Sequence, residues 1–308
     1  MKILVTGAGG MLGSDLCEFF HKSHAVLGVG RTIPKRKLSY RFERCDLTQQ
    51  QETQQIISDF KPELLFHAAA MTNVDQCQLE PQLANLHNTE ATKNVVLAAN
   101  QTESFIIFFS TDYIFDGTKK TAYLETDIPS PSIPYEKRNH YGESKRNAEI
   151  YIQQQAQNFI IFRVAWLYGM QGKSFPRTII QLTKKQTELR IVKDQKGSPT
   201  YTRDIAAAFS DLIRSDPKAF HKSNKEIFNM TNSGVASWAD VAREILNLIH
   251  NQKIQVVEIS SKELNRPAPR PMNSVLSAEK LKNRFNISLR DWKPALKEFI
   301  IELNKMEP

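Results

Sequence analysis

The most informative stretch of this chain is Lys2-Ile-Leu-Val-Thr-Gly-Ala-Gly-Gly-Met-Leu-Gly13. It begins with a β-rich run and places Gly7, Gly10 and Gly13 at GxxGxxG spacing before a helix-like segment. Gly7 permits a tight turn, Gly10 lets the backbone approach a pyrophosphate, and Gly13 allows the helix to pack closely on the strand. Free N–H groups at the helix N-terminus then attract the anion. The stretch predicts a dinucleotide-binding turn, and the alternative is a glycine-rich turn without a ligand.

Strand-like and helix-like patterns alternate through the first half of the chain. Runs that are apolar on both faces predict strands at Lys2–Thr6, Ala25–Gly30, Leu64–Ala68, Phe105–Ser110 and Phe159–Val164. The segments between them predict helices at Met11–His21, Gln50–Phe60, Gln82–Ala99 and Tyr141–Gln157. Parallel sheets are covered by helices on both faces and cross over with a right hand. The pattern therefore predicts an α/β fold with a doubly wound, Rossmann-type parallel sheet.

The alternation loosens after Trp166. Helices are predicted at Phe175–Lys185, Arg203–Arg214, Ser237–His250 and Asp291–Lys305, and strands at Glu226–Met230 and Ile254–Ile259. We therefore expect a dinucleotide-binding domain over residues 1–165 and a smaller C-terminal substrate-binding lobe over residues 166–308. Some segments of this lobe are expected to return to the large domain.

The composition argues against several classes of protein. The net charge of the 308 residues is +8. The basic residues are scattered and form no nucleic-acid-binding motif, so they favour anionic small molecules such as nucleotides. The apolar runs are far shorter than a membrane span, and the first strand follows Met1 too closely for a signal peptide. Cys17, Cys45 and Cys77 form no CxxC pair or metal pattern. We expect reduced thiols, no metal site and a cytoplasmic protein.

Arg31 follows the second predicted strand. An acidic residue at this strand end would bind the ribose 2′-hydroxyl of NADH, whereas an arginine suits the 2′-phosphate of NADPH. Arg31 therefore favours NADPH, with NADH left open as a second cofactor. Lys35 and Arg36 are candidate helpers. The alternative interpretation of Arg31 is an ordinary surface arginine.

Tyr141-Gly-Glu-Ser-Lys145 is a YxxxK motif at the start of a predicted helix. Its spacing puts Tyr141 and Lys145 on one helical face. A free tyrosine has a pKa of about 10, and a nearby ammonium is expected to lower it. Thr111 follows a buried strand at the edge where parallel sheets bind ligands, so its hydroxyl is placed to contact a carbonyl. We predict a catalytic set of Thr111, Tyr141 and Lys145; the alternative for the tyrosine and lysine is an exposed helix pair.

The order of glycine turn, Ser110-Thr111 and YxxxK motif resembles the extended short-chain dehydrogenase/reductase superfamily. Cys45-Asp46-Leu47 resembles the superfamily's Asp-hydrophobic pair beside the adenine. His67-Ala-Ala-Ala70 ends a strand with small residues, where the cofactor can pass closely. The predicted cofactor-binding residues are Gly7, Gly10, Met11, Leu12, Gly13, Arg31, Asp46, Leu47, Ala68, Ala69, Ala70, Tyr141 and Lys145.

Longer segments resemble the dTDP-4-dehydrorhamnose reductase family. Ser110-Thr-Asp-Tyr-Ile-Phe-Asp-Gly117 is similar to the family's STDYVFDG signature. Segments similar to its AAxTxVD, ETD, RxxWxYG, DQxGxPT and RPxxRPxNSxL motifs follow in order at Ala68–Asp75, Glu125–Asp127, Arg163–Gly169, Asp194–Thr200 and Arg266–Leu276. Because they span nearly the whole chain in order, the matches are specific as a set.

The resemblance implies an NADPH-dependent reductase that converts dTDP-4-dehydro-L-rhamnose to dTDP-L-rhamnose. In that scheme Tyr141 donates a proton to the new alkoxide, Lys145 assists, and Thr111 holds the carbonyl oxygen. The residues implied to line the sugar pocket are Val74, Asp112, Tyr113 and Trp166, each with packing as the alternative role. A homodimer is one option for the assembly.

The chain departs from the family pattern beside Tyr141. The family places its tyrosine a few residues after a Ser-Pro, whereas here Ser130-Pro131 is followed by the insertion Ser132–His140. Tyr135 stands at the usual spacing, but position 139 is Asn rather than Lys, so Tyr141 and Lys145 remain the expected pair. The insertion is either a lid over the substrate, with Lys137 or Arg138 reaching its diphosphate, or a tolerated surface loop.

Two further functions stay open on the sequence. One is another nucleotide-sugar reductase or epimerase on the same scaffold, which the insertion favours. The other is a non-catalytic, NADP-binding regulatory subunit, for which the beta subunit of methionine adenosyltransferase is the precedent. The intact Thr111, Tyr141 and Lys145 argue against the second.

Overall fold

The computed structural model describes residues 1–129 and 138–306. The strands are β1 (Lys2–Thr6), β2 (Ala25–Gly30), β3 (Arg41–Arg44), β4 (Leu64–His67), β5 (Phe105–Thr111), β6 (Phe159–Val164), β7 (Leu167–Tyr168), β8 (Glu188–Val192), β9 (Lys196–Gly197), β10 (Thr200–Tyr201), β11 (Glu226–Asn229), β12 (Ala236–Ser237) and β13 (Gln255–Ile259). The helices are α1 (Met11–Phe20), α2 (Gln50–Phe60), α3 (Val74–Leu79), α4 (Pro81–Asn85), α5 (Ala91–Gln101), α6 (His140–Gln155), α7 (Phe175–Thr183), α8 (Thr202–Ser215), α9 (Trp238–Leu248), α10 (Ser261–Leu264), α11 (Glu279–Phe285) and α12 (Trp292–Met306).

The central sheet is parallel, with strand order β11-β6-β5-β4-β1-β2-β3. The order reverses direction at β1, so the fold is the doubly wound α/β arrangement that the sequence predicts. Every residue of β5 and β6 is buried, as expected for central strands covered on both faces. The carboxyl ends of β1, β4 and β5 therefore meet at one edge, where such folds bind ligands.

Two apolar layers cover the sheet. One face packs against α1 and α8 through side chains that include Leu16, Phe66 and Phe209. The opposite face packs against α2, α5 and α6, with Ile57, Val95 and Ile152 in its core. A third cluster holds together α7, α9, α12 and the parallel pair β8–β13 in the second half of the chain. Strand β11 and helix α8 lead from that half back to the large sheet.

The sequence prediction of the secondary structure differs from the structure at several places, among them two missed strands and one divided helix. Strand β3 was missed because Arg41-Phe-Glu-Arg44 is a short, mostly polar edge strand. Strand β8 was missed as well, although its residues alternate in burial. The single helix predicted at Gln82–Ala99 is instead α4, a wide helical turn at Leu86–Glu90, and α5. The side chain of Asn88 in that turn accepts a hydrogen bond from the backbone N–H of Met71 at 2.7 Å, a contact that a helix pattern cannot reveal.

Within residues 1–129 and 138–306, no helix is both long and apolar enough to cross a bilayer.

Candidate active site

The glycine turn after β1 is built for close approach. Gly7 has a φ of +68°, and a Cβ there would lie 2.7 Å from the backbone N of Ala69. A Cβ on Gly13 would lie 2.2 Å from the carbonyl oxygen of Gly7. Helix α1 starts after Gly10 without a side-chain cap and without an acidic residue in its first turn. Its N–H groups are thus available to an anion, and the residues fit a dinucleotide pyrophosphate.

A cleft of about 500 Å³ opens over this turn. Its wall contains most of the predicted cofactor-binding residues: Gly7, Gly10, Met11, Leu12, Arg31, Asp46, Leu47, Ala68, Ala69, Ala70, Tyr141 and Lys145. The structure adds Ser110, His87 and Val164 to the wall. Gly13 lies outside it, so its contribution is the close packing of α1 on the turn rather than contact with a ligand.

A buried histidine fixes the small residues that face Gly7. His67 Nδ1 lies 2.7 Å from Thr6 Oγ1, and its Nε2 lies 2.9 Å from Thr92 Oγ1. The backbone N–H of Ala69 donates to the same Thr6 hydroxyl at 3.2 Å. Burial, followed by the nearby Lys145, lowers the pKa of His67 to about 3, so the ring is neutral. A neutral ring suits both contacts, which hold the end of β4 against the glycine turn.

Arg31 lines the cleft, and its Nη1 lies 3.1 Å from Nε2 of His87. Burial acts to raise the pKa of Asp46, but the hydrogen bonds from Thr48 and then the charge of Arg31 leave that pKa lowered. Lys35 also lines the cleft. The other candidate helper, Arg36, instead pairs with Glu18 at 2.7 Å. Arg31 and Lys35 therefore remain candidates for binding a 2′-phosphate, whereas Arg36 is held by Glu18.

Two of the catalytic candidates, Tyr141 and Lys145, line the same cleft, and Thr111 directly follows Ser110, which also lines it. Thr111 is the last residue of β5, paired in register with Val164 of β6. Tyr141 lies in the first turn of α6, which Asn139 caps by accepting a hydrogen bond from the N–H of Gly142 at 2.9 Å. The Thr111 hydroxyl lies close enough to the Tyr141 phenol to act on its pKa. The end of β5 and the start of α6 thus bring Thr111 and Tyr141 close together.

The expected lowering of the Tyr141 pKa is wrong. Burial raises this pKa above its usual value, the neighbouring Thr111 hydroxyl offsets only part of the effect, and Asp112 raises the pKa further. Lys145 was expected to lower the pKa, but burial acts in the opposite direction because it disfavours the charged phenolate. The consequence is a phenol that keeps its proton at neutral pH.

Lys145 is buried one helical turn beyond Tyr141, with 3% of its surface exposed. Its Nζ lies 4.0 Å from the centre of the Phe108 ring. Burial lowers the pKa of Lys145 to about 7, against a smaller opposing effect of Glu149. Glu149 itself is held by Arg163 through two hydrogen bonds of 3.1 and 2.9 Å, and both side chains are buried.

The residues predicted to line the sugar pocket have different surroundings. Asp112 is buried and accepts a hydrogen bond from the Thr111 hydroxyl at 3.1 Å, and burial raises its pKa to about 7. Tyr113 packs edge-on against Tyr141 with ring centres 6.0 Å apart. Val74 begins α3 and is half-buried. Trp166 is half-buried and stacks on Trp238.

Most of the insertion at Ser132–His140 falls outside the described residues, including Tyr135 and Lys137. Its last residues are described. Arg138 donates to Glu143 at 2.7 Å, and the side chain of Asn139 donates to the carbonyl of Pro269 at 2.7 Å. Arg138 is thus engaged by its own helix, and Asn139 ties the start of α6 to the loop that carries the RPxxRP motif.

Comparison with known proteins agrees with this geometry. The family model described as the RmlD substrate binding domain matches residues 1–305. The dTDP-4-dehydrorhamnose reductase of Burkholderia thailandensis is 34% identical over 305 residues, covering 96% of this chain and 97% of that protein. The chain belongs to the dTDP-4-dehydrorhamnose reductase family.

Family membership extends to solved structures. The dTDP-4-dehydrorhamnose reductase of Bacillus anthracis, solved in complex with NADP, is 30% identical with a TM-score of 0.84, over 98% of this chain and 99% of that one. The family member from Clostridium acetobutylicum is 33% identical with the same TM-score, over 99% and 100% of the two chains. A UDP-glucose 4-epimerase of Thermotoga maritima, at 20% identity and TM-score 0.82, shares the fold.

Several residues of this family member were not found from its sequence. Glu149 lies four residues after Lys145, and that helical spacing was the signal that could have found it. No sequence pattern pointed to His87 or Trp238. The tertiary fold alone brings His87 to Arg31 and Trp238 to Trp166.

Proposed function

We propose that the protein reduces the 4-keto group of dTDP-4-dehydro-L-rhamnose with NADPH, which gives dTDP-L-rhamnose. The observation that carries the proposal is the proximity of Thr111 to Tyr141, whose side chain lines the same cleft as the glycine turn. Relatives that bear the name of this activity cover nearly the whole chain, and the relative from Bacillus anthracis binds NADP.

The cleft supports the choice of cofactor. When bound, NADPH supplies the hydride that reduces the sugar carbonyl. The open N-terminus of α1 would hold its pyrophosphate, and the alanines after β4 would let it pass closely. Arg31 and Lys35 would bind the 2′-phosphate, which NADH lacks.

The remaining chemistry is a proton transfer. Because burial keeps the Tyr141 phenol protonated, this side chain can give a proton to the oxygen that becomes an alkoxide. Thr111 would hold the same oxygen by a hydrogen bond before transfer. Lys145 would stabilise the tyrosinate that remains and hold the nicotinamide ribose. Tyr113, Trp166, Val74 and Asp112 are the proposed contacts of the sugar.

The proposal extends to location and assembly. The three cysteines are free and buried, which supports a cytoplasmic protein with reduced thiols. A homodimer is also proposed, and sedimentation equilibrium of the purified protein tests it.

A panel of keto sugars tests the function. Oxidation of NADPH is followed with dTDP-4-dehydro-L-rhamnose, with its UDP-linked counterpart, and with no sugar, and the products are identified by NMR. We expect turnover with the dTDP sugar and a product of L-rhamno configuration. Faster turnover of another nucleotide sugar would favour a different reductase. Inactivity on every sugar, with a second enzyme copurifying, would favour the regulatory subunit.

A further inference from the structure

The sequence motif Asp194–Thr200 has no role in the chemistry described above, yet it surrounds Trp166. The indole of Trp166 stacks on that of Trp238 with ring centres 3.5 Å apart and planes 2° apart. Trp166 also has a φ of +47°, a left-handed backbone conformation that is strained for a residue with a side chain. Such strain persists where the surrounding contacts fix the residue.

Three residues of the motif contact the stacked pair. Gly197 lies against the Trp166 ring, and a Cβ there would stand 2.3 Å from its Cε2 atom. The side-chain carbonyl of Gln195 accepts a hydrogen bond from Nε1 of Trp238 at 3.0 Å. The backbone N–H of Thr200 donates to the carbonyl oxygen of Trp166 at 3.1 Å.

The motif and Trp238 are themselves held in register. Strand β9 pairs antiparallel with β12, which places Ala236 opposite Gly197 two residues before Trp238. Ser237 then caps α9 by a reciprocal pair of contacts with Asp240. The ring of Phe175 packs against Trp238 at 4.6 Å between centres. Trp238 therefore has little freedom to move away from Trp166.

The stacked pair lies beside the site. Trp166 follows β6 by two residues, and Val164 at the end of β6 is the register partner of Thr111. Val164 and Leu167, which precede and follow Trp166 in the chain, both line the cleft. The position of the indole is thus set on one side by the catalytic edge of the sheet and on the other by the second half of the chain.

We propose that Asp194–Thr200 and Trp238 form a socket that fixes Trp166 as a rigid wall of the sugar pocket, with Trp238 as a positioning residue that sets sugar specificity. This inference rests on the proposed function, because it takes Trp166 as a contact of the nucleotide-linked sugar. An indole pinned in one plane discriminates between sugars by shape, whereas a freely rotating one adapts to several.

Two variants disturb the contacts of Trp166 in different ways. Trp238→Leu removes the stacking partner, and Gly197→Ala pushes on the Trp166 ring. Each should lower kcat/KM for the dTDP keto sugar by about 10-fold to 100-fold, mainly by raising KM, as a displaced binding group does. The dissociation constant for NADPH should stay unchanged. Trp292→Phe is the matched control, since Trp292 lies buried in the core of the second half, outside the stack.

Circular dichroism measures the stacking of the two indoles independently of catalysis. Two stacked indoles give an exciton couplet in the far ultraviolet, which we expect in the wild type and in Trp292→Phe but not in Trp238→Leu. The socket is refuted if the wild type shows no couplet, or if both socket variants fold and keep wild-type KM and sugar preference. If Trp238→Leu does not fold, the KM and the sugar preference of Gly197→Ala alone test the proposal. A wild type that shows the couplet but reduces no nucleotide sugar overturns the proposed function, and with it the substrate role of the socket.

Discussion

The hydroxyl of Thr111, at the end of β5, lies close enough to the phenol of Tyr141, in the first turn of α6, to act on its pKa. The two side chains therefore meet where β5 ends, at the edge of the sheet that binds ligands in such folds. Because the phenol of Tyr141 also packs against Tyr113, its hydroxyl and its ring have separable roles.

Tyr141→Phe separates those roles. The ring and its packing remain, so NADPH affinity should be nearly unchanged, whereas the proton donor is lost. General acid catalysis commonly contributes about 10²–10⁴-fold, and we expect a fall in kcat within that range. Fluorescence titration measures the affinity for NADPH, and steady-state kinetics measures kcat. A variant that keeps more than about half of the wild-type rate would exclude Tyr141 as the donor.

Arg31→Ala tests the choice between NADPH and NADH. A charge-assisted contact with the 2′-phosphate contributes on the order of 1.5–3 kcal/mol, which corresponds to a preference of about 10-fold to 100-fold. We expect wild type to show this preference and the variant to lose most of it by weaker NADPH binding. Arg36→Ala is the control, because Arg36 pairs with Glu18. Equal Kd values for the two cofactors in wild type would contradict the assignment.

Lys145 gives a pH-dependent stability with a defined sign. Burial lowers its pKa from 10.5 to about 7, so between those values the unfolded chain binds a proton that the folded chain does not. Unfolding free energy then rises with pH, by at most about 1.4 kcal/mol per pH unit. Relative to Lys145→Met, the cofactor-free wild type should gain stability from about pH 7 to about pH 9. Denaturant titrations measure this difference, and a value constant across the window would show that Lys145 stays charged.

The Glu149–Arg163 pair behind Lys145 should be costly to break. Removing one partner of a buried pair leaves an uncompensated charge and costs about 3–5 kcal/mol. We expect a loss of this size for Arg163→Met and recovery of much of it when Glu149→Gln is added. Arg214→Met is the control, because Arg214 and Asp211 are both largely exposed, and such a pair contributes about 1 kcal/mol or less. Unfolding curves that show no recovery in the double variant would argue against charge burial as the cause.

The sequence predicted the features that depend on neighbours along the chain. The glycine turn at Gly7 and the YxxxK spacing at Tyr141 are local patterns, and the order of buried strands was enough to place Thr111 at the ligand-binding edge. The doubly wound fold followed from the same alternation and is confirmed by the observed strand order.

What the sequence could not supply depends on distant segments. Arg36 was a candidate for the 2′-phosphate, but Glu18 lies close enough in the fold to bind it. The pKa of Tyr141 rises rather than falls because the phenol is buried, and the neighbouring Asp112 raises it further. The stack of Trp166 on Trp238 requires β9 and β12 to pair, and no spacing in the chain encodes that contact.

The most direct test of the central claim follows the hydride itself. The purified protein is given dTDP-4-dehydro-L-rhamnose and NADPH that carries deuterium on the transferable position of the nicotinamide, and the product is analysed by mass spectrometry and NMR. The proposed function predicts dTDP-L-rhamnose with deuterium on C4 of the sugar and one NADPH consumed per product. A product without deuterium at C4, or an unchanged keto sugar, would contradict it.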